Sequence, residues 1–200
     1  MRKLILSIVV SADGMIARAD GDISWFLTDE AYEREMFALL QRVSAMLFGR
    51  VSYQLLAEYW PKAGTPAADA APGGFTSKER EVEFARLMNT IPKIVFSRTL
   101  SRADWGPATL IKDDAGGEVA RMKEQPGNDL VLFAGANIAS TFMNLDLVDE
   151  YRLLVHPILL GDGISLFKNL SAERRLKLVD AKTFPSGVAL LQYERDRSSP

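Results

Sequence analysis

The sequence predicts one α/β domain in which a largely parallel central sheet is flanked by helices and carries an antiparallel C-terminal hairpin at its edge. Three stretches carry this expectation. Lys3 to Val10 is a continuous apolar run with β-branched residues, as expected of a central strand covered on both faces. Leu130 to Phe133 is a second such run, broken by Ala134-Gly135-Ala136-Asn137 before a helical pattern, and Leu147-Val148 to Val155 reads as the next strand, which completes a β-α-β unit. Arg174 to Phe184 and Val188 to Tyr193, joined by Pro185-Ser186-Gly187, read as the hairpin.

Composition bounds the function. The chain has 200 residues, 48% apolar and 25% charged, enough for a good-sized core in one domain spanning 1–200. Net charge is −2, with no basic block, so nothing favours nucleic acid as a partner. Cysteine is absent, which excludes thiol catalysis, disulfides and cysteine-ligated metal; a single histidine outside any ligand cluster argues against a zinc site, so no metal is expected. Polar Ser11, Asp13 and Gly14 interrupt the N-terminal apolar run, and no run reaches the ~20 apolar residues of a membrane span. A soluble, cytoplasmic protein without membrane association is the expectation.

In chain order, Ser11-Ala12-Asp13-Gly14 ends the first strand in a turn that an Asp13 Asx bond and a positive φ at Gly14 would close. Thr28 or Asp29 is placed to cap a helix with the apolar stripe Tyr32, Met36, Leu39, Leu40 and Val43, and Trp25 before it offers a flat face to a heterocycle. Ala45 to Phe48 is a further buried strand. In Gly49-Arg50-Val51-Ser52-Tyr53, which opens the next helix, Gly49 permits close approach, Arg50 can pair with phosphate, and Ser52 can cap the helix or donate to a phosphate oxygen. Tyr59-Trp60-Pro61 follows. Lys62 to Ser77, rich in Ala, Pro and Gly, reads as a mobile flap beside a pocket.

Glu79 to Met88 is helix-like, and Lys93 to Leu100 reads as a strand ending in Ser97-Arg98-Thr99. Thr109 to Ile111 is a short strand before the helix-like run Gly117 to Lys123. The turn at residues 134 to 138 is a candidate phosphate cradle, because a helix start offers unpaired N–H groups and a positive dipole end. Ile138, Phe142 and Leu145 would share one face of its helix. Asp149 and Glu150 suit a turn or a subunit contact, His156 a structural place, and Phe167 a pocket floor. Leu160-Gly161-Asp162-Gly163 is a turn, and the tail after Arg195 is expected to fray.

Taken in order from Leu4 to Tyr193, the motifs SADG, Trp25, GRVSY, YWP, FSR, AGAN and DEYRLLVHPILLGDG resemble the dihydrofolate reductase-like family that includes the reductase half of the bifunctional riboflavin-biosynthesis deaminase-reductase, the RibD C-terminal domain. The resemblance implies a dihydrofolate reductase-like three-layer fold and an NADPH-dependent oxidoreductase acting on a pteridine- or pyrimidine-like ring. It implies cofactor contacts from Gly49, Arg50, Ser52, Ser97, Arg98, Gly135, Ala136, Asn137 and Ile138, with Arg98 at the adenosine 2′-phosphate. Asp13, Trp25 and Trp60 would border the substrate, with Asp13 also a catalytic candidate. The carboxylate that dihydrofolate reductases carry shortly after a tryptophan falls on Glu30, with Asp29 adjacent. A homodimer paired through sheet edges is the implied assembly. Two departures stand out. Ala134 replaces a frequent Gly, and the segment DDPxLxxR, with which the riboflavin-pathway reductases hold a ribose phosphate, is missing. Reduction of 5-amino-6-(5-phosphoribosylamino)uracil is thereby put in question, and dihydrofolate reduction proper or a non-catalytic nucleotide- or pterin-binding module are the alternatives.

Overall fold

Strand β1, Leu4–Ser11, lies between β6, Asp129–Leu132, and β7, Glu150–His156, parallel to both. A computed structural model shows this arrangement and describes residues 1–63, 65 and 74–196. The remaining strands are β2, Met15–Ala17; β3, Val43–Gly49; β4, Lys93–Phe96; β5, Ala108–Ile111; β8, Ile164–Ser165; β9, Leu176–Thr183; and β10, Ala189–Arg195. The main sheet runs β5-β4-β3-β6-β1-β7-β10-β9, parallel from β5 to β7, with β10 antiparallel to both neighbours. The β-α-β unit read from the sequence therefore spans β1, since β6 and β7 are its two neighbours. A small second sheet pairs β2 with β8, and a Cβ on Gly163 would come within 2.5 Å of the Ala17 carbonyl oxygen, so only glycine admits that approach.

Helices cover both faces. They are α1, Glu30–Gln41; α2, Arg50–Tyr59; α3, Lys78–Thr90; α4, Ala115–Glu124; and α5, Ala136–Asn144. Leu4, Leu6, Ile8 and Val10 of β1 pack with Leu47, Leu130 and Leu132 against Val119 of α4 and Ala139, Phe142 and Met143 of α5. Ile5, Met46, Phe48 and Val131 turn the other way, against Leu39 and Leu40 of α1, Tyr53 of α2 and Phe84, Ala85 and Met88 of α3. Each fully buried aliphatic side chain contributes roughly 1.5–3 kcal/mol. This is the three-layer architecture expected from the sequence, reached because apolar runs without alternation suit a sheet covered on both faces.

The chain chooses its caps unevenly. Asp29, Ser77 and Asp114 accept hydrogen bonds from the first turns of α1, α3 and α4, whereas α2 and α5 begin at Gly49 and Gly135 with no side-chain cap. Asp29 accepts from the Ala31 and Tyr32 amides and, through its other oxygen, from Ser186, pinning the β9–β10 turn to α1. Burial works to raise its pKa, but these hydrogen bonds outweigh burial and hold the carboxyl below the usual range. Asp29→Ala is expected to lower unfolding free energy by about 1–2 kcal/mol, with Asp29→Asn milder, as read by urea denaturation.

Several sequence expectations are corrected. Ser52 does not cap α2; it lies one turn inside, because Gly49 already has extended dihedrals there. Leu145 is 53% exposed at the end of α5, where Phe142, Ala139 and Met143 fill the buried face. Leu147 does not begin β7, since its amide still donates to the Phe142 carbonyl and closes α5. β4 stops at Phe96 because Ser97 Oγ accepts from the Thr99 and Leu100 amides and turns the chain. Phe167 is 38% exposed and floors nothing; Leu166 takes the buried position. Asp149 and Glu150 make ion pairs within the chain, with Lys123 and Arg42. The flap read at Lys62 to Ser77 falls largely outside the described residues.

Candidate active site

The carboxyl ends of the strands open on a cavity of about 680 Å³. Its rim is made by the two helices that lack a side-chain cap. Gly49, Arg50 and Ser52 line it from α2, and Gly135, Ala136, Asn137, Ile138 and Thr141 from α5 and the turn before it. The two helix starts come close: a Cβ on Gly49 would stand 3.0 Å from Ile138 Cγ2, and one on Gly135 would meet Ser52 Oγ at 3.5 Å. Unpaired amides, two positive dipole ends and the Arg50 guanidinium thus converge on one mouth, which is the chemistry of a phosphate or pyrophosphate cradle. Arg50 donates to Gln54 within its own helix. A dinucleotide fits this donor set.

A smaller cavity of about 220 Å³ contains Ser97 and Arg98 together with Lys112 and Asp113, and Phe96 borders both cavities. Arg98 is 3.6 Å from Asp113 and largely exposed. The expected cofactor residues therefore fall into two adjoining groups, with one aromatic ring between them.

Inward of the rim the walls are aromatic and aliphatic. Phe26, Tyr32, Met36, Trp60, Phe75 and Phe84 line this end, with Trp60, Phe75 and Phe84 in mutual ring contact at 5.2–6.1 Å. Of the substrate-end candidates, Trp60 lies in this wall, and Asp13, Trp25, Asp29 and Glu30 do not. The Asp13 carboxylate accepts from Ser11 Oγ and the Leu160 and Gly161 amides, bonds that depress its pKa to about 2, and it pins the 160–161 turn outside the cavity wall. Trp25 is buried edge-on against Phe26 and His156, so Phe26 faces the cavity instead. Asp29 is the helix cap, and Glu30 is exposed and paired with Arg34.

The carboxylate that does line the cavity is Glu33, one turn further along α1 and 2% exposed. Its Oε1 accepts from the Thr76 amide at 2.6 Å, and its Oε2 from Thr76 Oγ1 at 2.8 Å and Arg80 Nε at 2.5 Å. A signal for it was present in the sequence: Glu33, Met36 and Leu40 share one helical face, so a charge lies on the apolar stripe.

His156 is fully buried behind this wall, with Nδ1 3.1 Å from the Leu154 carbonyl oxygen and Nε2 3.1 Å from that of Leu27. Burial lowers its pKa from 6.5, against the two carbonyls, which raise it. A histidine neutral when folded but protonated when unfolded costs stability as pH falls through the unfolded value, so stability present at neutral pH is lost below about 6.5. Urea midpoints measured at about pH 7.5 and 5.5 are expected to fall, and to fall less in His156→Gln.

Among the described residues no group of three or more metal-ligating side chains gathers, and no helix is long and apolar enough to cross a membrane. The sequence model of the RibD C-terminal domain matches residues 2–190. The chain is 35% identical over 192 residues to the Bacillus subtilis (strain 168) protein YyaP, itself uncharacterised, covering 96% of this chain and 94% of that one. Among solved structures, it is similar to a Shewanella sp. PV-4 protein assigned provisionally to riboflavin biosynthesis, with TM-score 0.73, 22% identity, and coverage of 98% and 100%. It is similar also to dihydrofolate reductase from Enterococcus faecalis in complex with NADP(H) and RAB-propyl, with TM-score 0.61, 11% identity, and coverage of 97% and 96%.

Proposed function

Because the chain belongs to the RibD C-terminal domain family, we propose that it is an NADPH-dependent reductase that delivers hydride to a planar conjugated ring, the class that includes the pteridines and pyrimidines of its kin. The observation that carries this is the pair of uncapped helix starts, α2 and α5, meeting at the mouth of an aromatic-walled cavity. The nearness in fold to an NADP(H)-bound dihydrofolate reductase supports the choice of coenzyme.

NADPH supplies the hydride when bound. The amides of α2 and α5 and the Arg50 guanidinium would hold its pyrophosphate, and Arg98 with Ser97 would answer the adenosine 2′-phosphate. Trp60, Phe75 and Phe84 flank the ring to be reduced and exclude water, which fixes the approach of the reacting atoms. Glu33 braces the wall through Thr76. In this reading Asp13, Asp29, Glu30 and Trp25 position the elements around the site without touching substrate. The exposed Leu178 and Val179 on edge strand β9 support a homodimer formed along that edge, and a cytoplasmic enzyme is the setting this reading carries.

Nicotinamide-fluorescence titration tests it. NADPH is expected to bind at least about tenfold more tightly than NADH, and Arg98→Ala to erase most of that preference. Absence of binding by either coenzyme would sink the reductase reading. The engagement of Glu33 by Thr76 and Arg80 favours a second reading, a binding module without turnover, which would bind NADPH yet never oxidise it.

A further inference from the structure

The inner end of the main cavity is built for a ring of narrower chemistry than the family's names suggest. Among the described residues two cationic ones line the cavity, Arg50 and Lys168, and both belong to the rim. Arg50 opens α2, and Lys168 adjoins Asn169, whose amide donates to Asn137 at the start of α5. Between Lys62 and Lys78 the sequence contains neither Lys nor Arg, so that stretch supplies no cation to the inner end. An arm carrying phosphate there would face Phe75, Phe84, Met36 and the Glu33 carboxylate, and the nearby Arg80 guanidinium is outside the cavity lining and already paired with Glu33.

Glu33 excludes a second mode of recognition. A carboxylate has about four lone-pair sites, two on each oxygen. Both sites of Oε2 are taken, by Thr76 Oγ1 and Arg80 Nε, and one of Oε1 by the Thr76 amide. A 2-aminopyrimidine or pterin edge gripped by two parallel N–H bonds needs a free site on each oxygen, and Oε2 has none. Among the described residues, two that line the cavity carry a buried polar atom without a partner, Ser7 Oγ and Trp60 Nε1, and both can donate. They suit ring carbonyls.

Building on the reductase reading, we propose that the ring reduced in this cavity is uncharged, carries no phosphate, presents carbonyl oxygens, and is held by the aromatic walls rather than through an amidine edge, as a quinone or an unphosphorylated flavin would be. In the transfer the ring gains at an electrophilic atom the hydride released from C4–H of NADPH, with both electrons of that bond. Water then gives a proton to the conjugate heteroatom, so NADPH, H⁺ and the ring yield NADP⁺ and the dihydro ring.

Riboflavin and its 5′-phosphate form a matched pair that differs in phosphate alone. Titrated by flavin fluorescence into the full chain saturated with NADP⁺, riboflavin is expected to bind at least about tenfold more tightly than its phosphate. In parallel, menadione is expected to drive NADPH oxidation at least about tenfold faster than dihydrofolate does. Equal or tighter binding of the phosphate, failure of both flavins to bind, or faster turnover with dihydrofolate would overturn the proposal. NADPH binding, measured first on the same sample, separates this failure from failure of the reductase reading.

Discussion

Replacing Gly135 by aspartate is expected to leave the melting temperature unchanged or slightly raised while weakening NADPH binding at least about a hundredfold. Gly135 caps α5 with φ −78° and ψ 167°, extended backbone open to any residue, and an added Cβ would meet nothing closer than Ser52 Oγ at 3.5 Å. An aspartate there can accept from the amides of Asn137 or Ile138, a gain over glycine of a few tenths of a kcal/mol. The same carboxylate would occupy the place proposed for the pyrophosphate. Two like charges about 4 Å apart repel by roughly 4 kcal/mol at the effective dielectric of a protein surface, and even half of that, added to the loss of the amides as donors, amounts to two orders of magnitude in affinity. Gly135→Asn occupies the amides without the charge and should lose about tenfold. Thermal denaturation and nicotinamide-fluorescence titration of the two variants read both effects. A Gly135→Asp protein that bound NADPH normally would show that the α5 start is not where phosphate sits.

Sheet and rim were legible because the residues that make them act locally. Leu4 to Val10, Ser7 excepted, and Leu130 to Leu132 are apolar on both faces, and such runs admit few placements. Gly49 and Gly135 each follow a strand and open a helix, so the sequence marked both helix starts even though it could not show them meeting through Ile138. The inner end was harder, because its chemistry depends on contacts distant along the chain. Asp13 reads as a turn residue that could also reach substrate until the chain returns 147 and 148 residues later with the Leu160 and Gly161 amides, which claim its carboxylate. Asp29 and Glu30 read as active-site acids, yet the first is consumed as a cap by its own helix and by Ser186, and the second faces solvent. Glu33 is hidden for the opposite reason: a buried carboxylate is tolerable only with partners, and its partners Thr76 and Arg80 come 43 and 47 residues later, from α3 and the segment before it.

Arg80→Ala should cost about 2–3 kcal/mol in unfolding free energy, and adding Glu33→Leu to an Arg80→Met background should recover most of it. The single change leaves the buried Glu33 carboxylate with hydroxyl and amide donors but no compensating charge. The loss falls at or below the usual range for a broken buried pair because Arg80 itself is partly exposed and water can return to its place. The apolar pair removes both desolvation penalties and leaves only the Thr76 donors unanswered, at about 1 kcal/mol. Function should divide differently. Glu33 holds Thr76, and Thr76 follows Phe75 in the cavity wall, so in the apolar double variant the segment from Gly74 to Thr76 keeps the bond from Thr28 Oγ1 to the Gly74 carbonyl but loses its carboxylate anchor. The KM for the ring substrate is then expected to rise by about five- to tenfold while NADPH affinity stays within about twofold, since the rim is untouched. Urea denaturation gives the coupling energy of the pair, and steady-state kinetics gives the split between KM and coenzyme affinity. If the double variant were as unstable as Arg80→Ala alone, the Glu33–Arg80 pair would not be the source of the loss, and the cause would lie instead in the packing of the Arg80 stem between α1 and α3.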